Sequence, residues 1–228
     1  MTKIYSILNN ALKLTNKDLR VEFRRSYEFL SIITFAVSSV LIVSFNWRNI
    51  TIPSAQVISI ILWVITFFSS ILILTTSFAR EVDRGTIDGL RSIPIEAESV
   101  LLGKFFYGFI LMIFIIIISL LSSIIFMNVN PSYFFSLIFN FFIGYLNLMF
   151  VGSIISALLI YSEGKTLLMS FLLLPASIPV LIPGTQMTSK ILEGMSILEA
   201  IPEMRLLSAY FILISLASIF LFPQIFSE

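Results

Sequence analysis

The side chains best suited to chemistry are gathered in one stretch, Arg80 to Lys104, which reads REVDRGTIDGLRSIPIEAESVLLGK between two strongly apolar runs. Catalysis is a poor reading of it. The whole chain has no histidine and no cysteine, so the commonest metal ligand, the side chain that titrates nearest neutrality and all thiol chemistry are missing. What the stretch offers is docking. Glu81 to Leu90 reads as a short helix interrupted by Gly85, and Pro94 stops it because proline cannot continue a helix. Ile87 and Leu90 are apolar knobs for a groove on a soluble partner. Glu81, Asp83, Arg84 and Asp88 form a charged rim that sets partner choice. A solvated loop without a partner has the same composition. Gly85 and Gly89 have the spacing of a transmembrane dimer motif, but they stand among charges, and that reading fails.

Two further groups of residues lie inside apolar segments. Asn140, Gly144 and Asn147 share one face of a helix, where amides bond across helices and a small residue permits close approach. Packing is the first reading of this face and substrate contact the second. Pro175, Pro179 and Pro183 stand four apart and so on one face. Each removes a backbone N–H and clashes with the preceding turn, at about 3 kcal/mol in an ordinary helix. The expectation is a break or tight packing against protein, followed by short re-entrant or interfacial pieces over residues 184–205 on the outer side. Such breaks line pathways in some transporters, and a kink used only for packing is the alternative. No ionisable residue sits deep in an apolar segment, which argues against a proton relay. Gly164-Lys165-Thr166 resembles the end of a phosphate-binding loop, but position 159 is leucine and no strand precedes it, so no nucleotide site is assigned.

These groups must be held by a bilayer. Hydrophobic residues make up 58% of the 228 residues and charged ones only 12%, against about 25% charged in soluble domains. Runs near the length needed to cross the hydrocarbon core begin at Leu30, Ala55, Phe105, Ser132, Thr166 and Leu206. They predict six transmembrane helices in one domain over residues 1–228, an all-α integral membrane protein. Lys3, Lys13, Lys17, Arg20, Arg24 and Arg25, then Arg80, Arg84, Arg91 and Lys104, then Lys165, fall on one side. Arg48, Lys190 and Arg205 fall on the other. The positive-inside rule then places both termini in the cytoplasm. Residues 1–28 are expected to form an amphipathic elbow helix rather than a cleaved signal peptide. Ile4, Ile7, Leu8, Ala11 and Leu12, then Leu19, Phe23 and Tyr27, recur at helical spacing, with a bend expected near Asn16. Lys13, Lys17, Arg20 and Arg24 occupy another face and suit anionic headgroups. A generic basic flank is the alternative. The net charge of +1 gives no reason to expect a nucleic-acid partner.

With these elements in place the chain resembles the haem exporter protein B family, the permease subunit of the cytochrome c maturation system. The resemblance rests on three blocks in order: Leu19-Arg20-Val21-Glu22-Phe23-Arg24-Arg25; Phe78-Ala79-Arg80-Glu81 with Gly85-Thr86-Ile87-Asp88-Gly89-Leu90, Pro94 and Gly103-Lys104; and Leu173-Leu174-Pro175-Ala176-Ser177-Ile178-Pro179-Val180-Leu181-Ile182. It implies an ABC exporter-type permease fold whose loop at 80–104 is a cytoplasmic coupling helix. It implies a separate ATPase subunit (protein A), so that ATP is bound and hydrolysed on a partner, and a second permease copy or related subunit. It also implies a haem-handling membrane protein (protein C), a small membrane protein (protein D) and a haem chaperone (protein E). Haem is then cargo, exported or released on its chaperone, and no cofactor of the chain's own is assigned. Haem iron is usually held by His, Cys, Met or Tyr, and only the last two occur here. An ABC permease for lipid, glycan or drug, and a non-transporting scaffold, are the alternatives.

Overall fold

The computed structural model describes residues 2–24, 26–47, 54–83, 85, 89, 95–159, 162 and 164–227. Among them the chain is helical, without strands: α1 (Thr2–Arg24), α2 (Ser26–Trp47), α3 (Ala55–Asp83), α4 (Ala97–Met127), α5 (Phe134–Leu158), α6 (Lys165–Leu192) and α7 (Ile201–Ser227). Short 3-10 turns at Pro131–Tyr133 and Ile197–Ala200 precede α5 and α7. In hydrocarbon every backbone N–H needs a partner within the segment, and helices supply one. Six helices, α2 to α7, are long and apolar enough to cross a membrane. The sixfold expectation therefore holds. The third span begins earlier than its hydropathy alone implied, because α4 starts at Ala97 and carries Glu98 and Lys104 in its first two turns.

Chain ends of the helices follow local chemistry. Asn128 caps α4 in the left-handed conformation at φ 56°, with its N–H on the Ser123 carbonyl. Asn130 then accepts from the Ser132 N–H at 3.0 Å and opens the turn into α5. Gly194, at φ 85°, lets the chain leave α6, since a residue without Cβ adopts this conformation at no steric cost. Ser196 and Glu199 close a capping box on the following turn, each satisfying a backbone N–H that the helix leaves open.

The break expected at the three prolines does not occur. α6 runs unbroken from Lys165 to Leu192 through Pro175, Pro179 and Pro183. Spacing by four advances each proline about 40° around the axis, so the row spirals. Pro175 and Pro179 are exposed and Pro183 is buried. The first half of residues 184–205 therefore continues α6, and only Ile197–Ala200 forms a separate short helix. α1 is likewise one helix, without interruption at Asn16.

α4 is the hub. It packs on α1, α2, α3 and α5, while α6 bridges α3, α5 and α7. α3 and α5 bury most of their length, and α7 buries least and lies at the edge. Exposed Ile42, Phe45, Phe135, Phe171, Leu213 and Phe220 are the sort of surface lipid covers.

Candidate functional site

α1 is clamped against the first turns of α4. Ala11, Thr15, Asp18 and Glu22 recur at helical spacing and are all buried. They lie against the first three turns of α4. The Asp18 carboxylate meets Lys104 Nζ at 2.9 Å, and Lys17 Nζ lies 3.3 Å from its other oxygen. Tyr107 donates its hydroxyl proton to Glu22 Oε2 at 2.6 Å. Thr15 donates within bonding distance of both its own Ala11 carbonyl and the Gly103 carbonyl. Gly103 makes the approach possible, since a Cβ there would stand 2.9 Å from Leu14 Cβ. Lys104 and the carboxylate are both buried, so their mutual attraction must offset the hydration both have lost.

α1 therefore has three faces, where its sequence suggested two. Lys13, Lys17, Arg20 and Arg24 are exposed. Tyr5, Leu8 and Leu12 are also exposed and free to sink into the interface. Phe23 is half exposed but turns inward at the elbow, making edge contacts with Phe29 and Phe114 at 5.7 and 6.3 Å, while those two rings lie 5.9 Å apart. This aromatic corner joins α1, α2 and α4. The polar strip Thr15–Asp18–Glu22 escaped the sequence reading. Its signal was present: carboxylates four apart on a helix whose other faces were already taken by cations and apolar residues.

Asn140, Gly144 and Asn147 are brought together with residues far away in the chain. Trp63 on α3 is fully buried and stacks on Phe141, ring centroids 4.9 Å apart. Its indole N–H donates to Thr188 Oγ1 at 2.8 Å. The Asn140 side-chain amide donates to the same oxygen at 2.7 Å and lies 3.1 Å from the Gly184 carbonyl. Thr188 in turn donates to Gly184 at 2.9 Å. One hydroxyl thus ties α3, α5 and α6. Gly144 and Gly184 flank the indole, and a Cβ at either would run into its ring. Gly152 does the same for Leu74. Asn147 is buried and donates to its own Ile143 carbonyl at 3.0 Å. Asn140 and Gly144 thus sit where α5 meets α3 and α6. Lipid gives no hydrophobic gain for helix association, so notches and interhelical hydrogen bonds carry it.

The coupling candidates are only partly within the described residues. Glu81 and Asp83 lie in the last turn of α3. Gly85 is exposed at φ 64° and Gly89 is exposed and helical. Arg84, Ile87, Asp88 and Leu90 lie outside the described residues. Pro179 and Pro183 line an apolar groove with Leu206, Ala209, Tyr210 and Leu213 of α7, and Pro175 faces outward.

Six helices long and apolar enough to span a membrane, with α1 clamped against α4, define a multi-pass membrane protein. The chain belongs to the CcmB protein family, whose pattern matches residues 9–225. The family comprises membrane permease subunits of the haem exporter of cytochrome c maturation. Among curated proteins, none matches the chain.

Proposed function

We propose that this permease works as the membrane half of an ABC-type assembly, in which a separate ATPase subunit drives haem export or release of a haem-loaded chaperone. The observation that carries the reading is the family match across nearly the whole chain. The layout of the inner face supports it. Residues 84–96 link α3 to α4, and α4 is clamped to α1 within its first turns. A push on Ile87 and Leu90, steered by Glu81, Asp83, Arg84 and Asp88, would move α3 and α4 and carry α1 with them. Both termini and this loop lie in the cytoplasm in this reading, and residues 184–205 face outward.

ATP binds the partner ATPase, a protein A-like chain. A second permease copy completes the pathway, and protein C-, D- and E-like partners handle haem before and after it. Haem passes as cargo. The buried methionines Met112, Met149, Met169 and Met187 are sealed in the core, so these sulfurs do not face a passing porphyrin. Asp88→Lys and Leu90→Glu should each abolish co-purification of the ATPase while the protein remains in the membrane fraction. Retention of the ATPase by both variants would sink the coupling role.

A further inference from the structure

At the end of the bundle away from the loop 84–96, the start of α3, the end of α6 and the start of α7 enclose an open pocket of about 500 Å³. Directly below it, between α6 and α7, lies an apolar groove of about 410 Å³. Ile182 lines both, so they form one site with a polar head and a greasy tail. From Lys190 in the pocket to Ile178 in the groove the helix advances about 18 Å. That is close to the depth of one leaflet of a hydrocarbon core about 30 Å thick.

The polar walls have an uneven hydrogen-bond inventory. Ser59 donates its proton to the Gln56 carbonyl at 2.7 Å, Thr185 to the Ile182 carbonyl at 2.8 Å and Ser189 to Glu193 Oε1 at 3.1 Å. With their protons engaged, these hydroxyls can only accept from a guest. Lys190 Nζ already holds Glu203 Oε1 at 2.8 Å and the Glu199 carbonyl at 3.1 Å, which leaves one of its three N–H groups. Glu203 is 7% exposed, and its Oε2 is buried with no hydrogen-bond partner. Such an oxygen is costly to leave unmet. The donors facing the pocket are one ammonium N–H and the amides of Gln56 and Gln186, and none of them meets Glu203 Oε2. A carboxylate-bearing guest such as a porphyrin would bring a further acceptor and a second negative charge to that oxygen.

We infer that this site holds a phospholipid whose headgroup carries a primary ammonium, with its phosphate at Lys190, its N–H groups on Glu203 and the neighbouring hydroxyl oxygens, and an acyl chain in the α6–α7 groove. A primary ammonium supplies three donors and one positive charge beside the carboxylate. A quaternary choline has the same charge and no N–H, and a glycerol headgroup leaves the lipid anionic. Choline therefore isolates the donors, and glycerol the charge.

The intact protein, reconstituted in nanodiscs of equal parts phosphatidylethanolamine, phosphatidylcholine and phosphatidylglycerol, is released and weighed by native mass spectrometry. Retained phosphatidylethanolamine should exceed phosphatidylcholine about tenfold, as a charge-assisted hydrogen bond would give. Glu203→Gln should erase that preference. Ala209→Trp, which fills the exposed groove without touching the polar pocket, should lower retention of every lipid. Equal retention of the ethanolamine and choline lipids by the unmodified protein overturns the proposal, as does a preference for phosphatidylglycerol. So does a disulfide between two Ala209→Cys chains in membranes, because a second copy would then cover the groove. Each of these outcomes is independent of ATPase binding.

Discussion

Thr188 is a single hydroxyl with three bonds, two accepted and one donated. Thr188→Val keeps the shape and strands the Trp63 N–H, while Asn140 retains the Gly184 carbonyl. Leaving a buried donor unmet costs about 1–3 kcal/mol. The midpoint of denaturant unfolding in detergent should fall accordingly for Thr188→Val and stay near the parent value for Thr188→Ser. Gly144→Ala tests the other side of the same ring. A methyl group there collides with the indole, and overpacking costs about 1–3 kcal/mol. An unchanged midpoint for Gly144→Ala would mean that Trp63 is not wedged as described. Glycine and asparagine on one helix face announced close packing. Their partner could not be read from the sequence, because Trp63 lies 125 positions from Thr188 and no local pattern links them.

The elements are joined by two kinds of contact, apolar spans against each other and a polar seam along α1. Removing one member of the Asp18–Lys104 pair breaks a buried ion pair, which costs up to about 3–5 kcal/mol in a protein interior, and Lys17 beside Asp18 offsets part of that loss for Lys104→Leu. Asp18→Leu and Lys104→Leu should each loosen α1, seen as faster proteolysis of its N-terminal half. The double variant should recover much of the loss, and a double-mutant cycle measures the coupling. Additive single effects would show that the pair does not hold the helix. The spans were legible from hydropathy because twenty apolar residues leave the chain few choices. The path of α6 was not. Three prolines argued for a break, yet the helix continues through all of them. The seam was hidden by a different cause. Asp18 and Glu22 had no role assigned from the sequence, because their partners Lys104 and Tyr107 lie over 80 positions away.

For the whole molecule the sidedness of the ends decides the function. The chain contains no cysteine, so single cysteines can be labelled without background. Glu193→Cys, next to Gly194 at the end of α6, should react with an impermeant maleimide in intact cells. Lys13→Cys on the exposed strip of α1 should react only after the membrane is opened. The reverse pattern would put the loop 84–96 out of reach of any cytoplasmic ATPase. The distribution of basic residues predicts this sidedness, and Gly85 and Glu193 stand on separate helix ends. The docking surface itself was legible only as a charged composition, since nothing in one sequence shows the groove it would fit.

The seam along α1 also imposes an order on biogenesis. Glu22 leaves the ribosome 85 residues before Tyr107. At roughly 5–20 residues per second, its side chain waits several seconds for its hydroxyl partner. During that interval α1 has α2 to rest on, through Phe23 and Phe29, but not the partners of its buried carboxylates. α1 is then fastened only when α4 emerges, ahead of the packing of α5, α6 and α7, and an interrupted chain ending before α4 would carry it without its polar seam.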